Sequence, residues 1–135
     1  MKKTGIPYII TIAVIFLLVG CTKYEDGPWF SLRSRIERVS NTWKVENYIV
    51  NGDDLTSLYQ GYTETFTSDL NYSYQWGVFG GSGTWAFQNK HKEIRITGIS
   101  NLSSKTLIIL KLKEKEFWYY YMDGDDRKEF HMTEN

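Results

Sequence analysis

The single cysteine, Cys21, is the side chain with the most distinctive chemistry in the chain. A thiolate is a nucleophile and a metal ligand, but one cysteine permits no intrachain disulfide. Two histidines, His91 and His131, fall short of the three or four convergent ligands a metal site needs, so no metal is expected. Serines and aspartates are numerous, yet no Gly-x-Ser-x-Gly elbow presents a nucleophile. No catalytic residue, cofactor or enzyme activity is therefore expected. Gly80-Gly81-Ser82-Gly83 lacks the Lys-Ser/Thr of a phosphate loop and reads as a flexible hairpin tip. Asp123-Gly124-Asp125-Asp126 lacks the spaced oxygen ligands and terminal Glu of a calcium loop. Its Asp-Gly core between two strands reads as a hairpin turn.

The aromatic side chains are the stronger lead. The chain holds 5 Trp, 10 Tyr and 7 Phe, enough to build either a packed core or the walls of a pocket. Trp43, Tyr72, Tyr74, Trp76, Trp85, Tyr119 and Tyr121 are the candidate ligand-binding residues. Aromatic walls suit an apolar molecule or a sugar ring. The competing reading is plain packing, because the interior of a small barrel is filled by side chains or holds one small ligand. Phe117 to Met122 is bulky on both faces, so one face lies outside the core and offers a partner surface.

These residues sit on strands. From Trp43 on, apolar positions recur every second residue. Trp43, Val45, Asn47 and Ile49 share one phase, and Asn51-Gly52 follows as a turn. Tyr62, Glu64 and Phe66 come next, then Tyr72, Tyr74 and Trp76, then Trp85 and Phe87, then Ile94 and Ile96. Thr106 to Lys113 places Ile108, Leu110 and Leu112 on one face. Phe117 to Met122 and a last strand around Phe130 and Met132 complete eight. No helical crossover separates them, which favours antiparallel pairing. Eight antiparallel strands in sequence order predict an all-β, up-and-down barrel without exposed edges. A short helix is expected ahead of it, capped by Ser31, with Leu32, Ile36 and Val39 on one face and the arginines at 33, 35 and 38 solvated.

The first 20 residues differ in kind. Lys2 and Lys3 precede an apolar run from Ile6 to Val19. Those fourteen residues would span roughly 21 Å as a helix, short of the ~30 Å hydrocarbon core. This is secretory signal geometry. Thr22 to Pro28 is polar and turn-prone. The formal net charge of the whole chain is zero; without Lys2 and Lys3, 14 basic and 16 acidic residues leave −2. Such a balance gives no pull toward nucleic acid.

Leu18-Val19-Gly20-Cys21 resembles the bacterial lipobox. That resemblance implies cleavage between Gly20 and Cys21 and lipidation of Cys21. One acyl chain holds a protein marginally on a membrane, whereas two or more hold it stably. Residues 1–20 are then the signal peptide, 21–30 a lipidated tether and 31–135 the barrel. Glu25 and Asp26, soon after the cysteine, resemble the acidic export signals of Bacteroidota surface lipoproteins. The expected location is the outer membrane, facing the periplasm or the surface.

From Ser31 to Thr133 the chain is similar to the lipocalin-like lipoproteins of Bacteroidota. The likeness rests on Ser31-Leu32-Arg33-Ser34, Trp43-Lys44-Val45, Asn51-Gly52, Leu110-Lys111-Leu112, Phe117 to Met122 and Glu129-Phe130-His131. Lipocalins carry Gly-x-Trp at the first strand; here it is Asn41-Thr42-Trp43, and Asn also tolerates the left-handed backbone. The resemblance implies a small calyx-like barrel and a small-molecule ligand. The expected function is a membrane-anchored, non-catalytic binding module. The alternative is a filled barrel serving as an accessory subunit among envelope proteins.

Overall fold

A computed structural model describes residues 25–26, 34–99 and 103–135. Ser34 opens the short helix α1, Arg35–Val39. The Ser34 hydroxyl accepts from the Glu37 amide at 3.2 Å, and the Glu37 carboxylate accepts from the Ser34 amide at 2.9 Å. This reciprocal pair is a capping box, which satisfies two otherwise orphaned amides. The cap of the described helix is thus Ser34, where the Ser-x-x-Glu spacing lies; Ser31, the expected cap, and Leu32 and Arg33 lie outside the described residues. The start point also resets the buried face. Arg38 and Val39 are buried and Ile36 is exposed, so Arg38 is not part of a solvated stripe. A five-residue helix makes barely one turn and needs no continuous apolar stripe. An arginine stem can cover apolar surface.

Eight strands follow in sequence order: β1 Thr42–Val50, β2 Tyr62–Phe66, β3 Asn71–Trp76 and β4 Phe79–Gln88. Then come β5 Glu93–Thr97, β6 Ser104–Leu112, β7 Glu116–Asp123 and β8 Asp126–Glu134. Each pairs antiparallel with the next, and β8 pairs with β1 to close the barrel. The expected all-β, eight-stranded antiparallel barrel is what the chain forms. Asn51 (φ 50°) and Gly52 (φ 89°) turn β1 back on a two-residue strand, Asp53–Asp54. Paired positive φ angles are why Asn-Gly occupies this hairpin. A 3-10 turn, Thr56–Tyr59, then fills the wall where β1 and β2 separate, and β2 meets β1 only at Thr42–Lys44.

Two bulges shift the side-chain phase. Met132 faces Val45 and His131 faces Asn47, so Glu46 is an extra residue in β1. Before it Trp43 points inward; after it Tyr48 does, rather than Asn47 and Ile49. In β6, Ile109 faces Tyr119 and Lys111 faces Trp118, leaving Leu110 extra. The buried residues there are Leu107, Ile109 and Leu112. Ile108 and Leu110 therefore lie on the outer face, against the expected phase. One inserted residue flips every later side chain, because the strand period is two.

The glycine run is another correction. Gly80, Gly81, Ser82 and Gly83 are not a hairpin tip but the middle of β4, paired with Gln75, Tyr74, Ser73 and Tyr72. A Cβ on Gly81 would come within 2.6 Å of the Tyr74 ring, and one on Gly83 would collide with the Thr97 carbonyl oxygen. Close approach to a ring and to a neighbouring backbone, not flexibility, selects glycine here. The tip itself is Gly77-Val78.

The core fills the base of the barrel. Val39 of α1 closes it from below, and Trp43 donates its indole N–H to the Val39 carbonyl at 2.9 Å. Above lie Phe66, Tyr72, Trp85, Ile94, Ile96, Leu107, Phe117, Tyr119, Phe130 and Met132, all buried. Burying each such side chain stabilises the fold by roughly 1.5–3 kcal/mol. Glu25–Asp26 pairs in parallel with Lys111–Leu112, at this closed end.

Candidate functional site: a buried carboxylate beneath an open mouth

Glu64 is the one acid on the inward phase of β2, flanked there by Tyr62 and Phe66. It is 1% exposed. Its Oε1 accepts from the Tyr62 hydroxyl at 2.6 Å and from the Tyr119 hydroxyl at 2.7 Å. Its Oε2 and the nearby Tyr72 hydroxyl are buried and make no hydrogen bond among the described residues. Buried polar atoms ordinarily find partners. This is a polar knot in an aromatic interior with acceptor capacity to spare. Burial, followed by the Glu64 charge, pushes the phenols of Tyr62, Tyr72 and Tyr119 well above their ordinary range, so they stay protonated donors.

Toward the mouth the packing loosens. β6 and β7 pair from Leu112 and Phe117 up to Ile108 and Tyr120. Beyond that, Ser104–Leu107 pairs only with β5, and Tyr121–Asp123 only with β8. The two strands part, and a cleft of about 560 Å³ opens between them. Its lining includes Ser104, Lys105, Thr106, Ile108, Tyr121 and Met122. Lys105 shares the inward phase of Leu107 and Ile109, and Tyr121 that of Phe117 and Tyr119. The Lys105 ammonium lies 4.5 Å from the centre of the Tyr121 ring. Burial lowers the Lys105 pKa, against a smaller opposing pull from Glu64. At the cleft's edge, Asp123 is bonded to Lys128 at 2.6 Å, which lowers the Asp123 pKa and raises that of Lys128. A second cleft, of about 410 Å³, lies against Gln60, Trp76, Gly77, Val78 and Phe79. Val78 is 92% and Phe79 70% exposed, an apolar rim around the mouth.

The seven aromatic candidates divide between these regions. Trp43, Tyr72, Trp85 and Tyr119 are wholly buried in the core. Trp85 donates to the Thr67 carbonyl at 3.0 Å, and Tyr72 packs on Phe66 at 5.0 Å between ring centres. Tyr74 is half-buried over Gly81. Trp76 stacks on Tyr59 and lines the smaller cleft, while Tyr121 lines the larger. Gly20 and Cys21 lie outside the described residues.

Glu64 and Lys105 are the residues that sequence reading missed. Glu64 was findable as an acid between two apolar residues on the core phase. Lys105 was hidden by the Leu110 bulge, which put the wrong face of β6 inside. The outer face of β7 is less bare than its sequence implies. Lys111 sits 3.9 Å over Trp118, His131 stacks on Trp118 at 3.8 Å, and Arg127 lies 3.7 Å over Tyr120. His91 stands apart, against Phe87. Among the described residues no group of three or more His, Cys, Asp or Glu is placed to hold a metal ion.

What the fold and site define is a small closed barrel with a packed base, a buried acid and a cleft at its mouth. No protein-family model and no curated protein matches the chain.

Proposed function

We propose that this chain is a membrane-anchored, lipocalin-like lipoprotein, a non-catalytic binding module for a small apolar or glycan-related ligand. The observation that carries this is the change in packing along the barrel axis. The base is filled, whereas the mouth holds clefts lined by Trp76 and Tyr121. A volume of about 560 Å³ falls within the usual size of ligand pockets. The anchor is lipid on Cys21 after cleavage at Gly20, at the outer membrane. The pairing of Glu25–Asp26 at the closed end supports an orientation with the mouth turned away from the membrane. Only three residues separate Cys21 from Glu25, a reach of about 14 Å at full extension.

A second reading, an accessory subunit of an envelope complex, draws support from the packed base and the exposed Val78 and Phe79. Native mass spectrometry of the full chain, with displacement of a dye such as anilinonaphthalene sulfonate, separates the two. A retained molecule or a displaceable dye is expected. Neither, together with co-purifying envelope proteins, would favour the subunit. Radiolabelled palmitate should appear on the chain and vanish in Cys21→Ser.

A further inference from the structure

We propose that the cleft between β6 and β7 takes an anion-headed small molecule, a carboxylate or phosphate ester on an apolar body, with Lys105 as the counter-charge. This rests on the binding-module reading and names the ligand class of that site.

Three observations converge on it. First, the ladder between β6 and β7 ends at Ile108 and Tyr120, so the cleft is built into the closure of the barrel. Second, among the described residues the Lys105 ammonium has no carboxylate partner. It lies over the Tyr121 ring. Asp123, which also lines the cleft, bonds Lys128, and Glu64 bonds Tyr62 and Tyr119. A partly desolvated ammonium without a counter-ion costs free energy that an incoming anion would recover. Third, the surroundings suit a head and a body. Ser104 and Thr106 supply hydroxyls, while Ile108, Met122 and the Tyr121 ring supply apolar surface.

A cationic head would suit the spare oxygen of Glu64 instead, but that atom is fully buried below the cleft. Lys105, which lines the cleft, would repel a cation.

Calorimetric titration of the full chain in nonionic detergent with four matched probes tests the assignment. The probes are 2-naphthoate, 2-naphthyl phosphate, 2-naphthylmethanol and 2-naphthylmethylamine, with inorganic phosphate alone as a fifth. The anionic pair should bind at least tenfold tighter than the alcohol and the amine. Lys105→Met, which keeps the stem and removes the charge, should erase that preference; Lys105→Arg should retain it. A melting temperature for Lys105→Met at or above wild type shows that the variant is folded. The carboxylate and phosphate arms distinguish the two heads. Equal binding of alcohol and anions, preference for the amine, or an anion preference that survives Lys105→Met would overturn the assignment and leave the binding module standing. Inorganic phosphate binding as tightly as naphthyl phosphate would overturn the apolar body. If no probe binds, the anion assignment falls, and dye displacement and native mass spectrometry decide the binding module by themselves.

Discussion

Two tyrosines that look alike in sequence do opposite things at the Glu64 knot. The Tyr119 hydroxyl donates to the carboxylate at 2.7 Å, whereas the Tyr72 hydroxyl is buried without a hydrogen-bond partner among the described residues. A hydrogen bond to a charged group contributes about 1.5–3 kcal/mol, and an unmade one costs its desolvation. Tyr119→Phe should therefore lose about that much stability. Tyr72→Phe should change it by less than about 0.5 kcal/mol or raise it. Urea unfolding of both variants decides the matter, and equal losses would show that the two hydroxyls act alike. At this scale the sequence was partly legible. Tyr62, Glu64 and Phe66 alternate cleanly, so the acid's inward direction follows from its neighbours. Nothing in the linear order says that Tyr119, 55 residues on, supplies its second donor.

At the scale of the element, legibility ended where strands depart from strict alternation. Asn51-Gly52 and Gly124 announced their turns, because positive φ angles narrow the choice of residue. Ile94 and Ile96 announced their face. The bulges at Glu46 and Leu110 did not, because a bulge leaves no compositional mark when the extra residue is ordinary. The glycines of β4 misled for a different reason: clustered glycine signals a loop, yet here it signals crowding. Gly83 is held against the Thr97 backbone, which has no side chain to rotate away. A Cβ on Gly80 meets a carbonyl and the Gln75 side chain at 3.0 Å, a tight but less severe contact. Gly83→Ala should cost about 2 kcal/mol or more and Gly80→Ala clearly less, since overpacking costs typically 1–3 kcal/mol. The urea midpoint should fall at unchanged slope. A larger loss at Gly80 would mean that the β4–β5 contact is not what fixes this strand.

Across the whole molecule, the concentration of phenols in one interior sets the response to base. Burial raises the pKa of Tyr62, Tyr72, Tyr119 and Tyr121 above the ordinary value, and that of Tyr59 in the same direction. Unfolded tyrosine titrates near pH ~10. Above that pH the unfolded chain sheds protons that the folded barrel keeps, so stability falls as pH rises. Each such group removes about 1.4 kcal/mol per pH unit. The three phenols around Glu64 together remove about 4 kcal/mol per unit, against a total stability of ~5–15 kcal/mol. Lys128, whose pKa the hydrogen bond to Asp123 raises, adds to the loss from the unfolded value near ~10.4 up to its own folded value. Lys105 acts in the other direction. Its folded pKa is depressed, so between that value and the unfolded one near ~10.4 the folded state is relieved of a buried charge and gains stability with pH. One lysine cannot offset five phenols. The barrel should hold to about pH 10 and unfold cooperatively within roughly two to three units above it. Tyrosinate absorbance and far-ultraviolet circular dichroism should then change together for the buried set. If those phenols titrated ahead of unfolding, water would already reach Glu64, and the packed base beneath the mouth would be open rather than closed.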